Sequence, residues 1–270
     1  MRAGGVILTY IQWTRWKEFP FNVAILFYQL TLLIVGTAYG KFPELENYAD
    51  KQQRVVGLIG TILFLFNVII APMREEWLMF GISVFFLYYF LFVYGGASWK
   101  EIWKAAQTVH TRLCLGDWYS IPTEWFKYIS FTAPEAKLES WSMRQVRGRF
   151  EYREPTFDLT ERHVKAMNEY AQKIKGNPTA RRYDYLQLLS FFVNLPLWII
   201  WPNWWGQEKI KVMNLAGGRE VCSSGVTAIL RQIYYQILHY YINKLQVPVL
   251  RQNFFPGYST SMVPPCLFAI

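Results

Sequence analysis

The chain has 270 residues, of which 53% are hydrophobic and 19% aromatic, and it carries a formal net charge of +9. That length leaves room for two units rather than one large domain, and the apolar share exceeds that of ordinary soluble proteins. Three cysteines (Cys114, Cys222 and Cys266) exclude a complete disulfide framework, and their spacing matches no zinc site.

The charge is unevenly shared. Residues 1–96 hold 7 Lys/Arg against 6 Asp/Glu, whereas residues 97–270 hold 21 against 13. A basic module next to an apolar one predicts a lipid bilayer as partner, with anionic lipid or an anionic cell-wall polymer as further candidates. No nucleic-acid partner is expected, and the oligomeric state is left open.

The first nineteen residues, with Trp13, Arg15, Trp16 and Lys17, read as an interfacial lead-in. A full-length apolar run follows without a small-residue cleavage site, so no cleavable signal peptide is expected. Pro20 to Gly40, Val55 to Met73 and Trp77 to Ser98 are each free of charge, with lengths of 21, 19 and 22 residues. About 20 residues of helix cross a hydrocarbon core. Tyr39, Trp77 and Trp99 stand near the ends of these runs, where membrane–water interfaces favour aromatic rings. Residues 1–98 are therefore expected to form a transmembrane region with three helices, at about 20–40, 55–73 and 77–98. With three crossings, Arg2, Arg15, Lys17 and Arg74 share one side. Lys41, Lys51, Arg54, Lys100, Lys104 and Arg112 share the other. The positive excess places the carboxy-terminal domain in the cytoplasm.

Residues 99–115 read as an amphipathic connector, and Gly116-Asp117 opens a module running to residue 270. Lys137–Ser142 and Gln145–Arg153 are short and partly alternating, which predicts neighbouring strands; the second carries Arg144, Arg147, Arg149 and Arg153. Asp158 or Thr160 caps a helix whose inner face is Val164, Met167, Ala171 and Ile174, and Gly176 stops it. Tyr183 to Trp205 is apolar but interrupted by Asp184, Asn194, Pro196 and Pro202. A membrane-facing or core helix broken at Pro196 is preferred over a fourth span, because proline removes a helix hydrogen bond. Ile210–Met213 reads as a short strand.

Val221-Cys222-Ser223-Ser224-Gly225-Val226 follows Gly217-Gly218 and precedes a helix with Val226, Ile229, Ile233, Ile237, Tyr240 and Tyr241 on one face. Cys222 thus falls in the first turn, where free N–H groups and the helix dipole favour a thiolate. A small buried residue at a helix start is the alternative.

The order of landmarks resembles that of the circularly permuted papain-like cysteine hydrolases, relatives of the NlpC-type cell-wall peptidases. Gly116-Asp117 comes first, then the strand region, Arg153-Glu154-Pro155, the helix ending at Gly176, Tyr183-Asp184 and finally Cys222-Ser223 at a helix head. The resemblance covers about residues 116–265 and implies an α+β domain following the membrane helices. It implies Cys222 as nucleophile on amide, peptide or acyl-ester bonds through a thioester, with Tyr183-Asp184 as a structural element. Neither a cofactor nor a metal is implied.

The family's histidine position falls on Lys137. A lysine amine titrates near 10.4, so Lys137 would stabilise a thiolate rather than take its proton. His239 lies 17 residues beyond Cys222 on the same helix, about 25 Å away at roughly 1.5 Å per residue. His163 sits among Glu161, Arg162 and Lys165 and reads as solvated. His110 is the remaining substitute base. Two functions follow: a membrane-anchored cysteine hydrolase, or a catalytically inactive membrane protein that uses the same fold for binding or assembly.

Overall fold

The computed structural model describes residues 2–45, 51–95, 98–116, 125–142, 150–155, 159–212, 221–245, 255 and 257–270. The chain folds as two compact units. One is Lys17–Gln107; the other joins Met1–Trp16 to Thr108–Ala269.

The first unit is helical, with α1 (Phe19–Ala38), α2 (Lys51–Met73), α3 (Trp77–Gly95) and the short α4 (Trp99–Ala106). Three helical stretches, Trp16–Ala38, Gln53–Met73 and Trp77–Gly95, are long and apolar enough to cross a membrane. Their environments differ. Only 17% and 11% of the α2 and α3 stretches are buried, against 56% for the stretch containing α1. α2 and α3 form a hairpin that closes through Arg74-Glu75-Glu76, with Glu75 in the left-handed region at φ 60°. Small residues bring the two helices together: a side chain at Gly57 would meet the Tyr94 backbone, and one at Gly60 the Phe90 ring. Phe64 stacks on Phe86 and Phe90 at 5.0 and 5.5 Å.

α1 has another character. It buries Asn22, Gln29, Thr31 and Thr37 along with its apolar face. Gln29 Nε2 donates to the Ala106 carbonyl at 2.8 Å, and Thr31 Oγ1 lies 2.7 Å from Tyr88 Oη. A mostly apolar cavity of about 620 Å³ lies between α1 and α3, with Phe27, Leu30, Val84 and Phe92 among its walls.

The second unit is built on a five-stranded antiparallel sheet in the order β4-β3-β2-β1-β5. The strands are β1 (Val6–Tyr10), β2 (Thr108–Cys114), β3 (Trp125–Phe131), β4 (Ala136–Ser142) and β5 (Phe150–Arg153). The amino-terminal stretch read as an interfacial lead-in therefore supplies an inner strand, pairing with β2 on one side and β5 on the other. The stretch read as one connector divides into α4 and the central strand β2. β4 and β5 belong to one sheet but lie at its opposite edges, because β1 takes the place beside β5. Arg144, Arg147 and Arg149 lie outside the described residues.

Three helices complete this unit: α5 (Glu161–Gly176), α6 (Tyr185–Ile200) and α7 (Cys222–Leu245). Thr160 caps α5 and Asp184 caps α6, its carboxylate accepting the Gln187 N–H at 3.0 Å. Asp158 and Gly217-Gly218 lie outside the described residues. Ile210–Met213 is expected as strand; Met213 lies outside the described residues, and Ile210–Val212 is irregular, the Ile210 and Val212 N–H groups bonding to the Asn194 side-chain carbonyl and the Ser190 hydroxyl of α6.

Candidate functional site

α7 begins at a tightly held turn. The Gly225 N–H donates to the Val221 carbonyl at 2.9 Å, which makes Val221 the cap residue and Cys222 the first helical one. Valine has no capping oxygen, so Ser224 reaches back to accept the Val221 N–H at 3.0 Å, half of a capping box. Gln187 of α6 accepts the same N–H at 3.3 Å. Gly225 lets the helix close on the sheet, since a Cβ there would stand 2.5 Å from the Phe131 ring of β3. This seam fixes Cys222 against β2.

The thiol is buried, 5% exposed, with Sγ 4.0 Å from the Val109 carbonyl oxygen. Burial pushes its pKa above the ordinary thiol value. The N–H groups of Thr111 and Ser223, the Thr111 hydroxyl and the Arg112 charge act the other way and are outweighed. Thr111 Oγ1 makes no hydrogen bond of ordinary geometry among the described residues, and neither does buried Ser223 Oγ. Tyr183 is held above the usual phenol range, first by burial and then by the nearby Cys222. It therefore stays a neutral phenol there, able to donate and to accept a hydrogen bond but not to act as a base.

Neither expected partner of Cys222 reaches it. Register decides this. Phe131 pairs with Ala136, and Ser130 with Lys137, so Phe131 and Lys137 project from opposite faces of the sheet. α7 packs on the Phe131 face; Lys137 is exposed on the other. His110 shares the Lys137 face, with Nε2 2.8 Å from Ser130 Oγ. Burial, aided by the Arg112 charge, lowers its pKa to about 3, leaving the ring neutral at physiological pH. His163, read from sequence as solvated, is instead buried in the α5 cap, its Nδ1 2.9 Å from Thr160 Oγ1. His239 lies in α7. Cys222, Lys137 and His110 therefore form no catalytic constellation.

The face opposite α7 carries a polar chain that sequence reasoning missed. Arg112 Nη1 donates to Thr9 Oγ1 at 2.5 Å, and its guanidinium lies 5.8 Å from the Tyr128 ring centre. The Tyr128 hydroxyl donates to Glu139 Oε2 at 2.5 Å. The one signal available was the alternation of Thr108, His110 and Arg112 along β2. Among the described residues, no three His, Cys, Asp or Glu side chains converge as metal ligands.

No family model matches the chain, and neither does any curated protein or any solved structure. The likeness to the permuted papain-like hydrolases thus rests on the order of its short motifs.

Proposed function

We propose that the chain is a membrane-anchored binding or assembly protein whose α+β unit is catalytically inactive at Cys222. The observation that carries this reading is the buried thiol with a raised pKa and, among the described residues, no imidazole or amine facing it. A cysteine hydrolase needs a thiolate and a group that shuttles its proton. Here the only histidine on the strand beneath Cys222 faces away. The test is incubation of the full chain with p-nitrophenyl acyl esters and anilides, followed by mass analysis of Cys222. No acyl adduct is expected. A covalent acyl-Cys222, absent from Cys222→Ala, would overturn the reading.

The anchor in this reading is the α2–α3 hairpin. β1 and β2 share a sheet although α1, α2 and α3 lie between them in sequence, so the chain must return to the side it left. A sheet edge within hydrocarbon is excluded by its unpaired backbone groups. An even number of complete crossings, two of the three apolar helices, satisfies this connectivity. α4, with eight residues, is too short for a return crossing at about 1.5 Å per residue. α1 differs from the hairpin helices in burying polar side chains, and it packs beside α3, with Thr31 at Tyr88 and Ala38 at Gly95. Impermeant thiol labelling of Arg74→Cys in sealed, oriented vesicles should report the side opposite to both termini. Termini on opposite sides would remove the hairpin topology.

A further inference from the structure

α6 is apolar on both faces. It buries Phe191, Leu195 and Trp198 together with Gln187, Ser190 and Asn194, while Tyr185, Leu189 and Ile200 stand at 60%, 49% and 62% exposure. The inward polar groups are fully used. The Asn194 amide donates to the Ser190 and Ile210 carbonyls at 2.8 Å and accepts the N–H groups of Lys209 and Ile210. Gln187 donates to the Ser261 carbonyl at 2.8 Å, and Ser190 accepts the Val212 N–H. Buried apolar and polar side chains together tie α6 to its own unit, and the apolar side chains of its outer face remain exposed. In water such a face is a liability; against hydrocarbon it is the expected one.

We infer that α6 is a second membrane contact, lying along an anionic bilayer surface with Tyr185, Leu186, Leu189 and Ile200 in the acyl region. Three observations select lipid over a protein partner. The helix ends in Trp201 stacked on Trp204 at 5.0 Å, and Lys209 Nζ lies 5.1 Å from the Trp204 ring, the aromatic and cationic pairing of a headgroup layer. Exposed Arg182 precedes the helix, and exposed Lys209 and Lys211 follow it, so cations flank the apolar face at both ends. The same chain carries helices apolar enough to cross a bilayer, which keeps this unit next to one. With 16 residues, α6 is about 24 Å long, short of a roughly 30 Å core, which suits lying on the surface. The inference rests on the membrane anchor and is independent of the chemistry at Cys222.

The test is spin labelling of the full-length protein in mixed phosphatidylcholine–phosphatidylglycerol vesicles. A label is placed at Leu189→Cys, at Ile200→Cys as a second site, and at exposed Lys173→Cys on α5 as reference. The native thiols are buried and should not compete. Relaxation by oxygen relative to a water-soluble nickel chelate should be severalfold higher at 189 and 200 than at 173. A ratio equal to that at 173 would overturn the inference by placing α6 in water. Shielding from both reagents would overturn it in favour of a protein contact, including one with a second copy. Failure of the unlabelled protein to float with the vesicles would remove the anchor itself, a result separable from the other two.

Discussion

The α2–α3 hairpin and the seam between α7 and the sheet depart from ordinary packing in opposite directions. The hairpin turns Leu63, Phe66 and Phe85 outward and buries little besides its own glycine-lined contact. The seam turns a thiol and hydroxyls inward: Cys222, Ser223, Ser224 and Thr111 are all buried. A broad outward apolar face calls for a covering partner, which for helices of this length and composition is lipid in the reading proposed above. Inward polar groups are tolerable where backbone partners or small size limit the cost, as with Ser224 on Val221 and Thr227 on the Ser223 carbonyl. The comparison teaches that a cysteine at a helix head is not thereby activated. Dipole and N–H groups favour the thiolate, yet burial in a closed seam outweighs them.

The largest effect is expected at the hairpin. Arginine at Leu63 or Phe85 should cost about 3 kcal/mol of membrane insertion each, since a charge at a helix centre is disfavoured by roughly that amount. Flotation of the double variant should show protein lost from the vesicle fraction. Retention equal to wild type would mean that these faces do not meet hydrocarbon.

At the seam, Gly225→Ala should destabilise the sheet unit. The methyl would press on the Phe131 ring, and overpacking costs typically 1–3 kcal/mol, against a helix-propensity gain of about 1 kcal/mol. A net loss of about 1 kcal/mol is expected in thermal unfolding of the detergent-solubilised chain. A gain in stability would show that α7 does not close on β3.

A smaller, pH-dependent effect comes from His110. Its pKa is about 3 in the fold against 6.5 when free, so between these values the unfolded chain binds the extra proton. The resulting contribution to stability is present above pH 6.5 and is lost as pH falls toward about 3. His110→Gln should flatten that part of the stability profile. An unchanged profile would show that the ring titrates normally beside Ser130.

Much of the fold was legible where the signal was local. The uncharged runs located α1, α2 and α3, the Thr160 cap and Gly176 bounded α5, and the period after Cys222 placed α7. β1 was not legible: five residues after Gly4-Gly5 whose partners, Leu113 and Arg153, lie more than a hundred positions away. The number of crossings proposed above depends on that one strand. The site failed for a different reason. Whether His110 or Thr111 faces the helix is a matter of one residue of register, and a one-residue shift exchanges every side chain between faces. Nothing in the motif order fixes it.

The most direct test is the pH dependence of Cys222 alkylation in the folded full-length protein, with Lys173→Cys as an exposed reference thiol. Each unit of raised pKa removes about tenfold of the thiolate at neutral pH, and burial hinders access further. The account predicts that iodoacetamide modifies Cys222 more than about tenfold slower than residue 173 at pH 7, with no inflection below the ordinary thiol pKa of about 8.5. Modification of Cys222 faster than the reference, with an inflection below that value, would contradict the inactive reading and restore the hydrolase.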